Sequence, residues 1–309
     1  MGILTASTYS PAAGAVHGTT NTTAQEWTGD IDNITQYGLA FYTTSGGPAG
    51  PLIIMLRGGG AGGSITDNKV IGNQGAVGIC ETGYSAPVLW NDSSAGGPST
   101  YTVVMPDYRE GGGSWNGGTA SSGTDEFGGA DVEDVIQIYS AALELYDTGD
   151  SQRVIWGDSR GGMMAGLAMA RGLTPDVCIL RSPLLDTADY DAFDDATRAT
   201  IIADIPGFAG ANTDTWSELS SRDQELLKAR SVNSKLDQLP TTTKYLVVWG
   251  EDDTTIPRNQ CETFVAGMRK RGAEVEFQVI REFAHAISPS TGTELAYLAC
   301  RKFLAKHLT

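Results

Sequence analysis

Short apolar runs of strand length recur along the chain at Gly38–Thr43, Leu52–Leu56, Thr102–Met105, Arg153–Trp156, Val177–Leu180, Tyr245–Trp249 and Val275–Ile280. Most are continuously apolar instead of alternating, as strands covered on both faces must be, so they predict a largely parallel sheet. Helical patterns fall between them. Val132, Val135, Ile136 and Tyr139 recur at i, i+3, i+4 and i+7, which sets one apolar face against the sheet. Pro257–Arg271 has proline at its start, Cys261, Phe264, Val265 and Met268 on one face, basic residues near its end and Gly272 beyond it. A last helix is expected from Thr291-Gly-Thr-Glu294, a capping-box pattern, through Leu295, Leu298 and Phe303. The alternation predicts an α/β fold, a mostly parallel central sheet with helices on both faces.

Two stretches depart from it. Residues 1–35, rich in Thr, Ser, Ala and Gly, read as an irregular N-terminal arm holding at most one short strand, followed by the main domain at 36–309. Residues 183–240 hold helical patches without a strong strand and are too long for an ordinary connection, so they read as an inserted lid or cap. Its apolar residues, among them Leu184, Tyr190, Phe193, Ile201 and Trp216, could cover an acyl or aromatic group, although core packing explains most of them as well.

Composition narrows the function. A hydrophobic fraction of 40% with 19% charged residues is that of a globular protein, and 309 residues can bury a sizeable core. Thirty-seven Asp and Glu against 21 Lys and Arg give a net charge of −16, which repels phosphate backbones and anionic membranes, so neither nucleic acid nor membrane is expected as a partner. Cys80, Cys178, Cys261 and Cys300 are scattered without a C-x-x-C pair and read as buried thiols, not a zinc site or disulfide framework. The start of the chain lacks a basic n-region and a continuous apolar h-region, so a soluble, cytoplasmic protein is expected.

The candidate chemistry begins where the run Arg153–Trp156 leads into Gly157-Asp158-Ser159-Arg160-Gly161 and a helical pattern. This is G-x-S-x-G between a strand and a helix, where a serine on a sharp turn tolerates no bulky residue two positions away on either side. Serine needs a base, and the base needs a carboxylate to orient it. Of the three histidines, His17 lies in the Thr-rich arm and His307 near the C-terminus, whereas His285 follows the strand Val275–Ile280; position selects His285. The carboxylate is expected in the loop after Tyr245–Trp249, where Glu251, Asp252 and Asp253 crowd together and Asp252 and Asp253 both remain candidates. The order Ser, Asp, His along the chain suits an α/β-hydrolase.

Four motifs in order carry a resemblance: Asp107-Tyr108-Arg109 before a glycine-rich loop, Asp125-Glu-Phe-Gly-Gly-Ala-Asp131-Val-Glu-Asp134, Ser159-Arg-Gly-Gly-Met-Met164, and Gly250-x-x-Asp253-x-x-Ile256-Pro257. Over Gly38–Leu308 the chain resembles the catalytic domain of the prolyl oligopeptidase family, within the α/β-hydrolase superfamily, though the lid matches only weakly. The resemblance implies an α/β-hydrolase fold and assigns the acid to Asp253. Gly157-Asp158-Ser159 and the triple glycine are also similar to hormone-sensitive-lipase-like esterases.

Acyl transfer also needs donors aimed at the developing oxyanion. One is expected from the amide of Arg160, the other from Gly58 or Gly59 in the loop Arg57-Gly58-Gly59-Gly60-Ala61-Gly62-Gly63. Arg57 stands where the resembling proteins have histidine, and its guanidinium could hold a carboxylate of the protein or of the substrate; Arg57 and Asp158 are the further candidates for touching substrate. The same loop matches G-x-G-x-x-G with Glu81 beyond it, but a dinucleotide site would leave Ser159, Asp253 and His285 unexplained. Asp189–Asp195 has Phe193 where a calcium loop needs Asp or Asn. No metal or cofactor is expected. The expected protein is a serine hydrolase acting on a small-molecule acyl substrate, preferentially a carboxylesterase for small or medium acyl esters. The alternatives are a small-peptide hydrolase or aminopeptidase and, more remotely, a non-catalytic hydrolase-like binding protein. The preference for esters rests on length, because the family's substrate-filtering β-propeller does not fit within 309 residues beside a hydrolase domain.

Overall fold

The computed structural model describes residues 4–8, 22–31, 34–43, 50–59, 101–109, 121–146, 152–285 and 293–308. Among them nine strands form one sheet in the order β1-β2-β3-β5-β4-β6-β7-β8-β9. These are β1 (Leu4–Thr8), β2 (Thr22–Ile31), β3 (Ile34–Thr43), β4 (Leu52–Leu56), β5 (Thr102–Pro106), β6 (Arg153–Asp158), β7 (Val177–Arg181), β8 (Lys244–Gly250) and β9 (Val275–Ile280). The six strands from β4 to β9 run parallel, while β1, β2 and β3 add antiparallel strands at one edge, β3 pairing antiparallel with β5. Each expected apolar run is a strand, several extended by a residue or more.

The expectation of an irregular arm does not hold. Residues 4–8 and 22–31 are strands, with β2 paired to β3 in register from Thr22↔Thr43 to Ile31↔Ile34. Ala24, Trp27 and Ile31 are the apolar side chains of β2, too few for a period of two, so cross-strand pairing makes this strand and patterning does not.

The described helices are α1 (Asp131–Leu145), α2 (Arg160–Ala170), α3 (Asp195–Ile202), α4 (Ser221–Arg230), α5 (Arg258–Lys270) and α6 (Thr293–His307). Strand residues alternate between two cores. Leu52, Ile54, Leu56, Ile155, Cys178, Leu180, Tyr245 and Val247 pack with α1, α2 and α5; Ile53, Met55, Val103, Val154, Trp156, Ile179, Leu246 and Val248 pack with Ala296, Cys300, Phe303 and Leu304 of α6. Burial on both faces accounts for the continuously apolar strands. The expected capping box of the last helix begins at residue 291, outside the described residues.

The segment between β7 and β8 is helical throughout its regular elements, with two short 3-10 turns, α3 and α4. The acidic run inside it caps one helix and ties loops. Asp194 accepts from the Thr197 amide at 2.7 Å at the start of α3, and Asp191 accepts from the Trp216 amide at 2.7 Å. Strand order reverses at β4, with β5 on one side and β6 on the other, and the crevice beyond the carboxyl ends at such a reversal is where open α/β sheets bind ligands.

Candidate active site

Ser159 sits between the end of β6 and the start of α2 with φ 53° and ψ −118°, outside the ordinary regions for a residue with a Cβ. Close approach explains the flanking glycines. A Cβ on Gly157 would lie 2.2 Å from the carbonyl oxygen of Gly161, and one on Gly161 would lie 2.0 Å from that of Leu56. The strained residue is pinned from both ends, its amide donating to the Arg181 carbonyl at 3.0 Å and its carbonyl accepting from Gly162 at 2.9 Å and Leu184 at 3.0 Å.

Ser159, His285 and Asp253, 126 and 32 positions apart along the chain, meet at the carboxyl ends of β6, β9 and β8. His285 Nε2 lies 2.8 Å from Ser159 Oγ, and His285 Nδ1 lies 3.0 Å from Asp253 Oδ2. The other carboxylate oxygen, Oδ1, accepts from the amides of Thr255 at 2.9 Å and Ile256 at 3.0 Å. Burial by itself would raise the Asp253 pKa, but the hydrogen bond and charge of His285 and those two amides outweigh it and hold the carboxyl below its ordinary value. An ionised Asp253 accepts the Nδ1 proton, which leaves Nε2 as the acceptor facing the serine hydroxyl. Asp252, by contrast, is exposed. The loop thus brings Asp253, and not Asp252, to the imidazole.

The two further candidates for substrate contact are placed elsewhere. Asp158 is fully buried behind the turn, accepting from Trp156 Nε1 at 2.8 Å and from Arg181 Nε at 3.0 Å, with a second, shorter contact from Arg181 Nη2. Its carboxylate is consumed by a buried arginine, which corrects its reading as a substrate contact. Arg57 is 5% exposed and donates through Nε to Asp107 Oδ1 at 3.1 Å, so the carboxylate it holds is the protein's own. Arg160 keeps its guanidinium under the turn, bound to Asp125 at 2.7 and 2.5 Å and to Asp131 at 2.7 Å. Burial disfavours that charge, but the two carboxylates outweigh burial and its pKa is raised.

These buried pairs give the remaining motif residues their roles, which sequence reasoning did not assign. Asp125 and Asp131 anchor Arg160, Arg109 clasps Asp134 through Nε at 2.6 Å and Nη2 at 2.9 Å, and Arg181 holds Asp158. The available signal was charged residues beside apolar runs, Asp158 and Arg181 at strand ends and Asp131, Asp134 and Arg160 at helix starts, positions where an isolated charge would be costly to bury.

A cavity of about 250 Å³ opens beside the serine, lined by Gly59, Phe127, Ser159, Arg160, Leu184, Thr197, Thr200, Ile201, Thr255, Ile256 and His285. Gly60–Gly63 and Glu81 lie outside the described residues, as do Cys80 and His17. Among the described residues, the group with metal-ligand spacing is Glu274, Glu276 and His307. Lys306 lies 2.5 Å from Glu276 and 3.4 Å from Glu274, and Lys244 lies 3.2 Å from Glu274, so ammonium groups already supply the counter-charge there.

A nucleophile on a strained turn, hydrogen-bonded to a histidine that a buried carboxylate orients, defines the class of serine hydrolases built on the α/β-hydrolase fold. Residues 98–309 match the model of the prolyl oligopeptidase family, and the chain belongs to that family. Solved structures share the fold at low identity. An acylaminoacyl peptidase solved in complex with Z-Gly-Gly-Phe-chloromethyl ketone aligns over 93% of this chain and 41% of its own, at TM-score 0.64 and 17% identity. Dipeptidyl peptidase 4 of Porphyromonas gingivalis aligns over 93% of this chain and 36% of its own, at TM-score 0.61 and 15% identity. A Pyrococcus furiosus esterase aligns over 91% of this chain and 89% of its own, at TM-score 0.58 and 15% identity. The chain thus spans about two fifths or less of the length of these two peptidases. No curated protein matches it. Among the described residues, no helix is long and apolar enough to cross a membrane.

Proposed function

We propose that this serine hydrolase is a carboxylesterase that cleaves small, uncharged acyl esters through an acyl-enzyme on Ser159. His285 takes the hydroxyl proton as Oγ attacks the carbonyl and returns it to the leaving alcohol; water then repeats the cycle on the acyl-enzyme. Asp253 holds the imidazole in the tautomer that can accept, and stabilises the imidazolium that forms. The amide of Arg160, at the N-terminus of α2, and an amide of the Gly58-Gly59 segment receive the oxyanion. The inserted segment acts as a cover, since Thr197, Thr200 and Ile201 of α3 line the cavity.

The observation that favours esters is the lining itself. Among the described residues it includes no carboxylate, whereas a peptidase that reads a free amino terminus needs one to neutralise the ammonium. A volume of about 250 Å³ is also below the ~300–1,000 Å³ usual for ligand pockets, which suits a short acyl group. The family match favours a second reading, hydrolysis of short peptides, most naturally ones with a blocked amino terminus. Comparing p-nitrophenyl acyl esters with free and N-acylated aminoacyl anilides separates the readings. Ester turnover with little anilide turnover supports the first; anilide turnover without ester turnover overturns it.

A further inference from the structure

We propose that Arg57 is a positioning residue that aims the Gly59 amide at the oxyanion; this rests on the serine hydrolase reading above. Arg57 follows directly on β4, and its side chain turns back on its own loop. Nε donates to Asp107 Oδ1 at 3.1 Å, and Nη1 donates to the carbonyl oxygen of Gly58 at 3.1 Å. The guanidinium is planar and rigid, so fixing one edge on a carboxylate at the end of β5 fixes where the other edge can hold a carbonyl.

The held carbonyl belongs to the peptide unit whose nitrogen is that of Gly59. In a planar trans peptide the C=O and N–H point in opposite directions. Drawing the Gly58 oxygen toward the buried guanidinium therefore turns the Gly59 N–H away from it, and Gly59 lines the cavity together with Ser159, Arg160 and His285. Gly59 has φ 91°, a conformation open to glycine, which lets the chain turn there.

The clamp is braced from the other side. Tyr108 Oη donates to the Arg57 carbonyl at 2.8 Å, and its ring lies 4.7 Å from the Arg57 guanidinium and 4.4 Å from that of Arg160. One aromatic ring thus ties the arginine that orients the Gly59 amide to the arginine whose own amide is the other donor. A histidine at position 57 could not span Asp107 and the Gly58 carbonyl through adjacent donors in this way, so this chain has its own device for a task the loop must perform.

The test uses Arg57→Met/Asp107→Asn, which leaves no unpaired buried carboxylate and keeps an oxygen for the Tyr108 amide, and Arg57→Lys, which keeps the charge facing Asp107 but loses the second prong. Ester kcat and KM are measured with the affinity for a trifluoromethyl ketone, whose adduct with the serine is itself an oxyanion. Loss of one donor lowers kcat by roughly 10²–10³-fold with little change in KM. Ketone affinity should fall in parallel with kcat/KM, and Arg57→Lys should not restore it. Wild type that turns over esters and binds the ketone, with variants that do both equally well, overturns the clamp alone; so does full rescue by Arg57→Lys, which would reduce Arg57 to a counter-charge. Wild type that neither turns over esters nor takes the ketone overturns the serine hydrolase reading, and the clamp with it.

Discussion

Replacing Asp253 by Asn tests the proton arrangement with little change in shape. Asp253 Oδ1 accepts from the amides of Thr255 and Ile256, so an asparagine must keep its oxygen there. Its NH₂ then occupies the place of Oδ2, 3.0 Å from His285 Nδ1. Two donors cannot face each other, so Nδ1 becomes the acceptor and the ring proton moves to Nε2, 2.8 Å from Ser159 Oγ. The base then presents a proton where it should accept one. A wrong tautomer of this kind lowers kcat by about 10⁴-fold. The pH dependence of stability gives an independent readout. The folded-state pKa of Asp253 is depressed, so its ionisation favours the folded state above the unfolded value of about 3.9, and that contribution is lost as pH falls through the folded pKa. The stability difference between wild type and Asp253→Asn should therefore shift in favour of the variant as pH falls below about 4. Ester turnover with urea unfolding at several pH values measures both. Asp253→Asn retaining more than about a tenth of wild-type kcat would refute the assignment of the acid.

Asp158→Ala should lower unfolding free energy by about 3–5 kcal/mol in urea melts, because it strands Arg181, which is fully buried; an effect below about 1 kcal/mol would show that the pair does not carry that burial. Ile201→Ala, at a buried position lining the cavity, should raise kcat/KM for longer acyl esters relative to acetate by roughly tenfold or more per methylene accommodated, and an unchanged chain-length profile would place the acyl group elsewhere.

Much of this was legible in residue patterns. Continuous apolar runs located β4 through β8 because both faces of those strands are covered, the edge strand β9 (Val275–Ile280) was marked by alternating apolar and polar residues instead, and Pro257 with Gly272 bracketed α5. The glycines at 157 and 161 identified the turn because their steric role is local. Strand β2 escaped because its residues are mostly polar and its order comes from pairing with β3. Arg57 and Asp158 stood out as candidates for substrate contact, but their partners Asp107 and Arg181 lie 50 and 23 positions away and are reached only through the sheet, so pattern alone could not tell a substrate contact from a buried ion pair.

The proposed chemistry depends on activation of the Ser159 hydroxyl by His285 and Asp253. Reaction with a fluorophosphonate followed by peptide mass mapping tests it directly, run on wild type and on His285→Ala. A single adduct on Ser159 is expected in wild type, with labelling slower by about 10³-fold or more without the imidazole. Folded wild-type protein that takes no adduct, or one labelled equally fast without His285, would contradict it.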